Sequence, residues 1–413
     1  MNKKLMSNTI YLYLLTFVKM FFPLITLPFF TRIFSIELYG VVTYVKSYTS
    51  YVQLVLDFGF LLSATKNISL LYDNDNNEID YIIGNTIIEK IILLCFMACI
   101  TLYMTNRIPI LLLYKNFTWL FFVAISLNIF VADYLFRGIE KMAFIAIPYT
   151  AAKSICLLLT LFFVRYDSDL LLIPFFELLG NGVASLISIF LIYKNGFHIK
   201  FGKPNVWLSD LKESAVYFVS NFATTVFGSL TTIIGGIYFS LIEVSYWGIA
   251  MQVVTAAKSM YTPISNSIYP YMIRNKDMKL IHKICILMII PMVIGSIVVI
   301  FWGNAILEII AGEKYYEAGF VLKLLLPVII SSFYSMIYGW PVLGAVGKVK
   351  ETTISTITAA LFQLIIMFVL IIFNKFTIYS LAASCALSEV FLLIIRIKIY
   401  KDNSELFIRT NNN

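Results

Sequence analysis

Charge is what this chain has least of. Asp, Glu, Lys and Arg together make up 13% of 413 residues, and histidine occurs twice. Soluble domains carry about 25% charged residues, so no soluble domain of any size fits. Nucleic-acid binding on such a domain is excluded with it, despite a formal net charge of +8. The five cysteines, Cys95, Cys99, Cys156, Cys285 and Cys385, are odd in number and all fall in apolar runs. Cys95 and Cys99 are one helical turn apart, but no histidine or second cysteine pair accompanies them, so neither a zinc site nor a disulfide framework is predicted. His198 and His282 have no metal-ligand spacing. The stretch Gly344-Ala345-Val346-Gly347-Lys348-Val349 has too few residues between its glycines for a phosphate-binding loop, and Val follows Lys where Ser or Thr is needed. No Ser/His/Asp set occurs. A cofactor-free, metal-free non-enzyme is expected, and ATP-driven transport by this chain alone drops out. Also missing is the apolar–polar alternation of outer-membrane strands.

What is present is apolar: 60% of residues, with a mean hydropathy of +0.87. A bilayer core about 30 Å thick takes roughly 20 apolar residues per helix. Such blocks fall at 8–31, 40–62, 81–104, 109–132, 143–165, 170–193, 214–239, 244–269, 284–303, 318–341, 353–373 and 377–398. The chain is therefore expected to be an all-α polytopic membrane protein of about twelve transmembrane helices. The first block follows Lys3 and Lys4 without a small-residue cleavage site, so it reads as a retained helix. Lys and Arg crowd the connections on the side of the N-terminus, Arg137 and Arg396 counted among them. The other side holds few basic residues, Arg32, Arg107, Arg165, Lys314 and Lys375 being the clear ones. That bias predicts both termini in the cytoplasm.

The longest polar segment between blocks, Lys194 to Glu213, divides them six and six. It reads as a linker between two six-helix bundles, 1–200 and 201–413. Between the first two blocks of the first half stands Phe34-Ser35-Ile36-Glu37-Leu38-Tyr39-Gly40. The matching point of the second half has Phe239-Ser240-Leu241-Ile242-Glu243 followed by Tyr246-Trp247-Gly248. An internal repeat of this kind is a common transporter plan, with the site at the midplane.

Ionisable groups within a membrane helix usually face a partner or a wet cavity. Lys19, Lys46, Asp57, Lys153, Glu177, Lys258 and Glu389 all fall inside blocks. Lys46, Ser50, Gln53 and Asp57 share one helical face, as do Glu177, Asn181, Ser185 and Ser188. Tyr217, Asn221, Thr224, Gly228 and Thr231 align in the seventh block, and Gln252, Thr255, Ser259, Thr262 and Asn266 align in the eighth beside Lys258. Such stripes mean polar helix packing or a wet cavity. If the lysines Lys19, Lys46, Lys153 and Lys258 share a cavity, it is cationic and suits a phosphate or pyrophosphate. Gln53, Asn181, Asn221 and Gln252 would then suit sugar hydroxyls. The blander alternatives are that Lys46 and Lys323 snorkel to the outer surface, that Asp57 caps a neighbouring helix or pairs with Lys66, that Glu89 and Lys90 form an interfacial pair, and that Glu177 and Glu389 serve as ion-pair partners of the lysines.

Several pieces resemble the Wzx-type polysaccharide flippases of the MATE-like multidrug/oligosaccharidyl-lipid/polysaccharide superfamily. They are Leu27-Pro28-Phe29-Phe30-Thr31-Arg32-Ile33-Phe34 with Glu37-Leu38-Tyr39-Gly40, then Asp57-Phe58-Gly59-Phe60 with Ala64-Thr65-Lys66-Asn67-Ile68-Ser69. Phe136-Arg137-Gly138-Ile139-Glu140-Lys141-Met142, Tyr246-Trp247-Gly248-Ile249-Ala250 and Pro263-Ile264-Ser265 with Tyr269-Pro270-Tyr271 follow the same pattern. The resemblance implies two six-helix bundles in a V around a cationic cavity. It implies movement of undecaprenyl-pyrophosphate-linked oligosaccharide units, O-antigen or a related surface polysaccharide, across the bacterial cytoplasmic membrane by ion-coupled alternating access. Asp57, Glu177 and Glu389 are the candidate coupling groups, and the polymerase of the same pathway is a candidate partner alongside membrane lipids. Two alternatives are weighed against it. A multidrug exporter of the superfamily would need an anionic cavity for cationic drugs. A polymerase would need a large outer loop, which the stretch from Gly303 to Glu317 is too short to supply.

Overall fold

No water reaches backbone groups in a bilayer core, so a spanning segment must satisfy its own N–H and C=O groups, which a helix does. The computed structural model describes residues 3–72 and 76–407, without a strand among them. The side chains of Lys3, Lys4 and Pro270 lie outside what is described. Among the described residues ten helical segments are long and apolar enough to cross a membrane, and a bent pair, 204–225 with 228–238, makes eleven. The remaining expected span corresponds to Leu241–Asn275, a helix of 35 residues whose lysine and hydroxyl stripe lower its hydropathy. The chain is a multi-pass all-α membrane protein close to the expected twelve-helix plan.

Two compact units form, Met1–Phe222 and Ala223–Asn413. In chain order the first contains α1 (Lys3–Ile33), α2 (Ile36–Asp57), α3 (Phe60–Leu71), α4 (Asn76–Arg107), α5 (Pro109–Leu113), α6 (Lys115–Ser126), α7 (Asp133–Gly138), α8 (Ala143–Phe163), α9 (Leu172–Lys194) and most of α10 (Pro204–Thr225). The second contains α11 (Thr231–Tyr238), α12 (Leu241–Asn275), α13 (Met278–Ala311), α14 (Ala318–Leu324), α15 (Leu326–Ile337), α16 (Val349–Ile372) and α17 (Ile378–Asp402).

The repeated Phe-Ser…Glu element marks a helix start in each unit. Ser35 caps α2 by accepting from Leu38 N at 3.4 Å. Ser240 caps α12 by accepting from Glu243 N at 3.3 Å, while Glu243 accepts from Ser240 N at 2.9 Å. These side chains satisfy donors that the first helical turn leaves free. The preceding Phe34 and Phe239 and the following Tyr39 and Trp247 are buried, which fixes the direction in which each helix leaves its cap.

Each unit packs its own core. Ile68, Ile79, Ile83, Leu135, Ile139 and Ile192 are fully buried in the first; Met272, Ile281, Phe333, Ile337 and Val342 are fully buried in the second. By contrast α13 presents Ile286, Leu287, Ile290 and Phe301 outward, as a lipid-facing helix must.

The segment expected to be a linker is instead fastened to α4. Asp80 accepts from His198 N at 2.7 Å and pairs with Lys200 at 2.9 Å. Asn85 Oδ1 accepts from Gly202 N at 2.8 Å and from Trp207 Nε1 at 3.1 Å. The close approach depends on Gly84, where an added Cβ would stand 1.9 Å from Lys200 O. The start of α10 is then tied to α3 by Ser63–Ser214 at 2.7 Å and Lys66–Glu213 at 3.2 Å. Asp57 therefore loses Lys66 as a partner. Between α2 and α3, Phe58 and Gly59 both take positive φ, and α10 lies so near that a Gly59 Cβ would meet Ser214 O at 2.5 Å.

A pair of substitutions tests this docking. Alanine normally stabilises a helix by about 1 kcal/mol over glycine, and Gly295→Ala, which meets nothing within 4 Å, should hold or raise the melting temperature of the purified protein. Gly84→Ala should lower it, by the ~1–3 kcal/mol typical of overpacking, and should open the 195–203 segment to protease.

Candidate functional site

A broken span shapes the site. α6 ends at Ser126, a single tight turn covers Leu127–Phe130, Val131 is extended, and α7 begins at Asp133. The break strands backbone groups at membrane depth, each worth several kcal/mol if unsatisfied. α9 supplies the partners. Asn181 Nδ2 donates to Ala124 O at 2.8 Å, Ser185 Oγ to Leu127 O at 2.7 Å, and Ser188 Oγ accepts from Ala132 N at 2.9 Å. The stripe read from the sequence thus has a structural part: Asn181 is buried and its Nδ2 donates to the break, while Asn181 and Ser188 also line the cavity beside it, as expected for Asn181. On the opposite side Asn128 donates to Gln53 Oε1 at 2.8 Å, and Gln53 donates to Asp57 Oδ1 at 3.0 Å.

Beside the break lies a cavity of about 580 Å³ in the first unit, well within the range of ligand sites. The whole α2 stripe, Lys46, Ser50, Gln53 and Asp57, lines it, together with Lys19 of α1, Lys90 of α4, Asp133 of α7, Lys153 and Tyr149 of α8, and Glu177 of α9. Four lysines against three carboxylates leave one net positive charge, so the cavity is charge-rich but far less cationic than expected. Glu177 binds Lys153 directly, and Asp57 stands 4.0 Å from Lys90. Lys19 and Lys46 pair with no carboxylate at that range among the described residues. Aromatic faces hold them instead: Lys19 lies over the Tyr149 ring at 5.1 Å and Lys46 over Phe30 at 4.9 Å.

Two lining charges escaped the sequence reading. Glu89 and Lys90 are not an interfacial pair; both are buried midway along α4, Lys90 facing Asp57 and lying over Tyr134 at 5.5 Å. Depth within the helix was the signal available. Asp133 falls just past the fourth apolar block, which ends at 132, whereas the helical segment continues to Gly138. Arg137 likewise belongs to this span and not to a loop.

Lys258, Glu389 and Gln252 stand in the second unit, and Asn221 on α10; none of them lines this cavity. Lys258 pairs with Glu389 at 3.1 Å, and Glu389 accepts from Ser335 Oγ at 3.2 Å. The hydroxyls of Thr255 and Ser259 are turned back on their own helix, onto Met251 O and Thr255 O, each at 2.8 Å. A second break follows α15, where Gly339 takes φ −71°, ψ −105°. Here Arg396 of α17 does what Asn181 does in α9. Its guanidinium donates to Ser335 O at 2.6 Å, Ser355 Oγ at 3.1 Å and Thr356 Oγ1 at 2.9 Å. Arg396 is therefore a buried structural cation, not a loop charge that reports orientation.

Comparisons with known proteins fit this architecture. The profile of the polysaccharide biosynthesis protein family matches residues 5–276. A Shigella dysenteriae protein provisionally named O-antigen transporter is 27% identical over 407 residues, covering 96% of this chain and 100% of that one. Among solved structures, the lipid II flippase MurJ in an inward closed conformation aligns with a TM-score of 0.74 at 13% identity, over 98% of this chain and 89% of MurJ. An inward-facing MATE family multidrug resistance transporter of the MOP superfamily aligns at 0.66 with 11% identity, over 96% and 99%. At those identities the two structures establish the fold alone.

The role given to α9 is testable in the purified protein. Asn181→Ala removes the donor to Ala124 O and should lower the melting temperature, by the ~1–3 kcal/mol that an unpaired buried polar group costs. Thr255→Ala, whose hydroxyl meets its own helix, should leave it nearly unchanged.

Proposed function

The chain belongs to the polysaccharide biosynthesis protein family, and on that premise we propose that it flips undecaprenyl-pyrophosphate-linked oligosaccharide units. The movement runs from the inner to the outer face of the bacterial cytoplasmic membrane, with both termini inside. The relatives and fold neighbours are named transporters and flippases, and the chain is a transporter, not an enzyme. The observation that carries the proposal is the membrane-depth cavity in which Lys19 and Lys46 make no ion pair within 4.0 Å among the described residues, Asp133 and Glu177 acting on them only at longer range.

A pyrophosphate brings oxygen acceptors and negative charge to these two lysines, whose ammonium groups bind as mobile point charges. Their aromatic seats hold them in place without neutralising them. Lys153 is available as a third contact once phosphate oxygens compete with Glu177 for it. Gln53, Ser50 and Tyr149 offer polar contact to the first sugars. A net positive lining disfavours a cationic drug as cargo. Asp57, Glu177 and Glu389 each sit against a lysine, so an ion that neutralises one of them changes the charge its lysine presents. A unit charge crossing the membrane potential is worth about 2.3 kcal/mol per 100 mV, enough to bias such a cycle. Units delivered to the outer face would pass to a polymerase.

Deleting the gene in its own bacterium and assigning the lipid-linked intermediates to a leaflet tests the reading. Single repeat units trapped on the cytoplasmic face, with surface polymer lost, are expected; units that reach the outer face unpolymerised would make the protein a polymerase. Complementation separates the residues. Lys19→Ala, Lys46→Ala and Lys153→Ala should insert normally yet cut surface polymer by roughly tenfold or more, the equivalent of one lost charge-assisted contact. Lys323→Ala should complement fully.

A further inference from the structure

Glu89 is a carboxyl group that the proposed transport cycle has not yet used. It is 1% exposed, lies midway along the membrane helix α4, and its Oε1 meets no hydrogen-bond donor among the described residues. The other membrane carboxylates considered have cations beside them: Lys90 for Asp57, Lys153 for Glu177 and Lys258 for Glu389. Glu89 has the reverse. From α10 the carboxylate of Asp210 acts on it, and on α7 stands the hydroxyl of Tyr134; Arg137, also on α7, acts on Asp133. On α4 itself the adjacent Lys90 turns to Asp57 of α2. α3 offers Lys66, but that side chain is taken by Glu213. α5 carries no charged residue, and the Lys115 that opens α6 is exposed. An anion so placed would be buried and uncompensated, which membrane proteins avoid. No cluster of acidic, cysteine or histidine ligands able to hold a metal ion occurs among the described residues.

We propose that Glu89 is a proton-binding group that couples this transporter to a proton gradient, with Asp210 as its link to water. The inference rests on the flippase reading for what is moved, not for the chemistry of Glu89. In the resting state Glu89 carries the proton and is neutral. When its O–H bond breaks, the proton passes by way of the half-buried Asp210 carboxylate to solvent, and the electron pair stays on Glu89. The new anion draws Lys90, its neighbour in sequence, away from Asp57. Asp57, released and still bonded to Gln53, turns its charge on the cavity lysines and weakens their hold on an anionic cargo. Reprotonation returns Lys90 to Asp57 and restores the two unpaired lysines. Proton loading and cargo binding are thus linked through one lysine that two carboxylates compete for.

Two measurements on the full chain test this. Infrared difference spectra of the protein in nanodiscs, taken as the buffer is moved from acid to alkaline, should show a protonated-carboxyl band that persists through neutrality. The band should vanish in Glu89→Gln, shift in Glu89→Asp, and survive in Glu177→Gln. Absence of the band from the native protein, or its survival in Glu89→Gln, overturns the assignment, and the native spectrum decides this even if a variant fails to insert. In proteoliposomes loaded with lipid-linked oligosaccharide extracted from the deletion strain, a one-unit pH gradient offers one proton up to about tenfold in driving force. The native protein should respond to it, and Glu89→Gln should not. An equal response in Glu89→Gln refutes the coupling role. Failure of the native protein to move the lipid at all would count against the flippase reading, and the infrared result would still decide on Glu89.

Discussion

The rest of the structure depends on backbone hydrogen bonding where no water can help. A straight membrane helix meets that requirement alone, but this chain interrupts several of its spans, among them the two broken after Ser126 and at Gly339. Each interruption exposes carbonyl and amide groups that lipid cannot satisfy. In each unit the sixth span supplies the missing partners. α9 does so with an amide and two hydroxyls, and α17 with one guanidinium that donates to the backbone carbonyl of Ser335 and is held by two hydroxyls of α16. The two solutions differ chemically and answer the same demand. They also explain why polar groups lie so deep: without them the broken helices could not be inserted.

The breaks in turn set where charge can sit. Ending α6 early lets Asp133 start a new helix against the cavity, opposite the α2 face that carries Lys46 and Asp57. Lysines and carboxylates share the wall, and Lys90 with Asp57 and Lys153 with Glu177 lie close together, which keeps the cost of burying them down. The arrangement leaves a surplus of one positive charge and two lysines that lie over aromatic rings and make no ion pair within 4.0 Å among the described residues. A cavity with many fixed positive charges would trap an anion. One in which half of the lysines already hold a carboxylate exchanges partners at little net cost, and that suits a site that must release what it binds.

Much of this was legible before any coordinates. The helical class followed from block length, and the helix starts at Ser35 and Ser240 were visible as a repeated element whose capping role the structure supplies. The α2 stripe lines the cavity as one face, since helical periodicity is local. Other residues were misplaced for identifiable reasons. Glu89 and Lys90 are adjacent and opposite in charge, which imitates a surface pair, yet adjacent residues point about 100° apart on a helix and these two face different neighbours. Arg396 stands two residues from the end of an apolar block, where composition alone resembles a loop. The polar stretch after Lys194 resembled a linker because composition does not reveal that Asp80 and Asn85 wait on α4 to receive it.

The sequence by itself determined that the chain crosses a membrane many times as helices, because hydropathy is a sum over neighbouring residues and needs no partner. It also determined which side chains were expensive to insert and therefore had to have a use. Only the tertiary structure decided the use. Lys258 and Glu389 are 131 positions apart, and Ser188 meets Ala132 across 56. Such pairings depend on how each helix is rotated and on where a break lets the chain turn, and neither is written in any local stretch of residues.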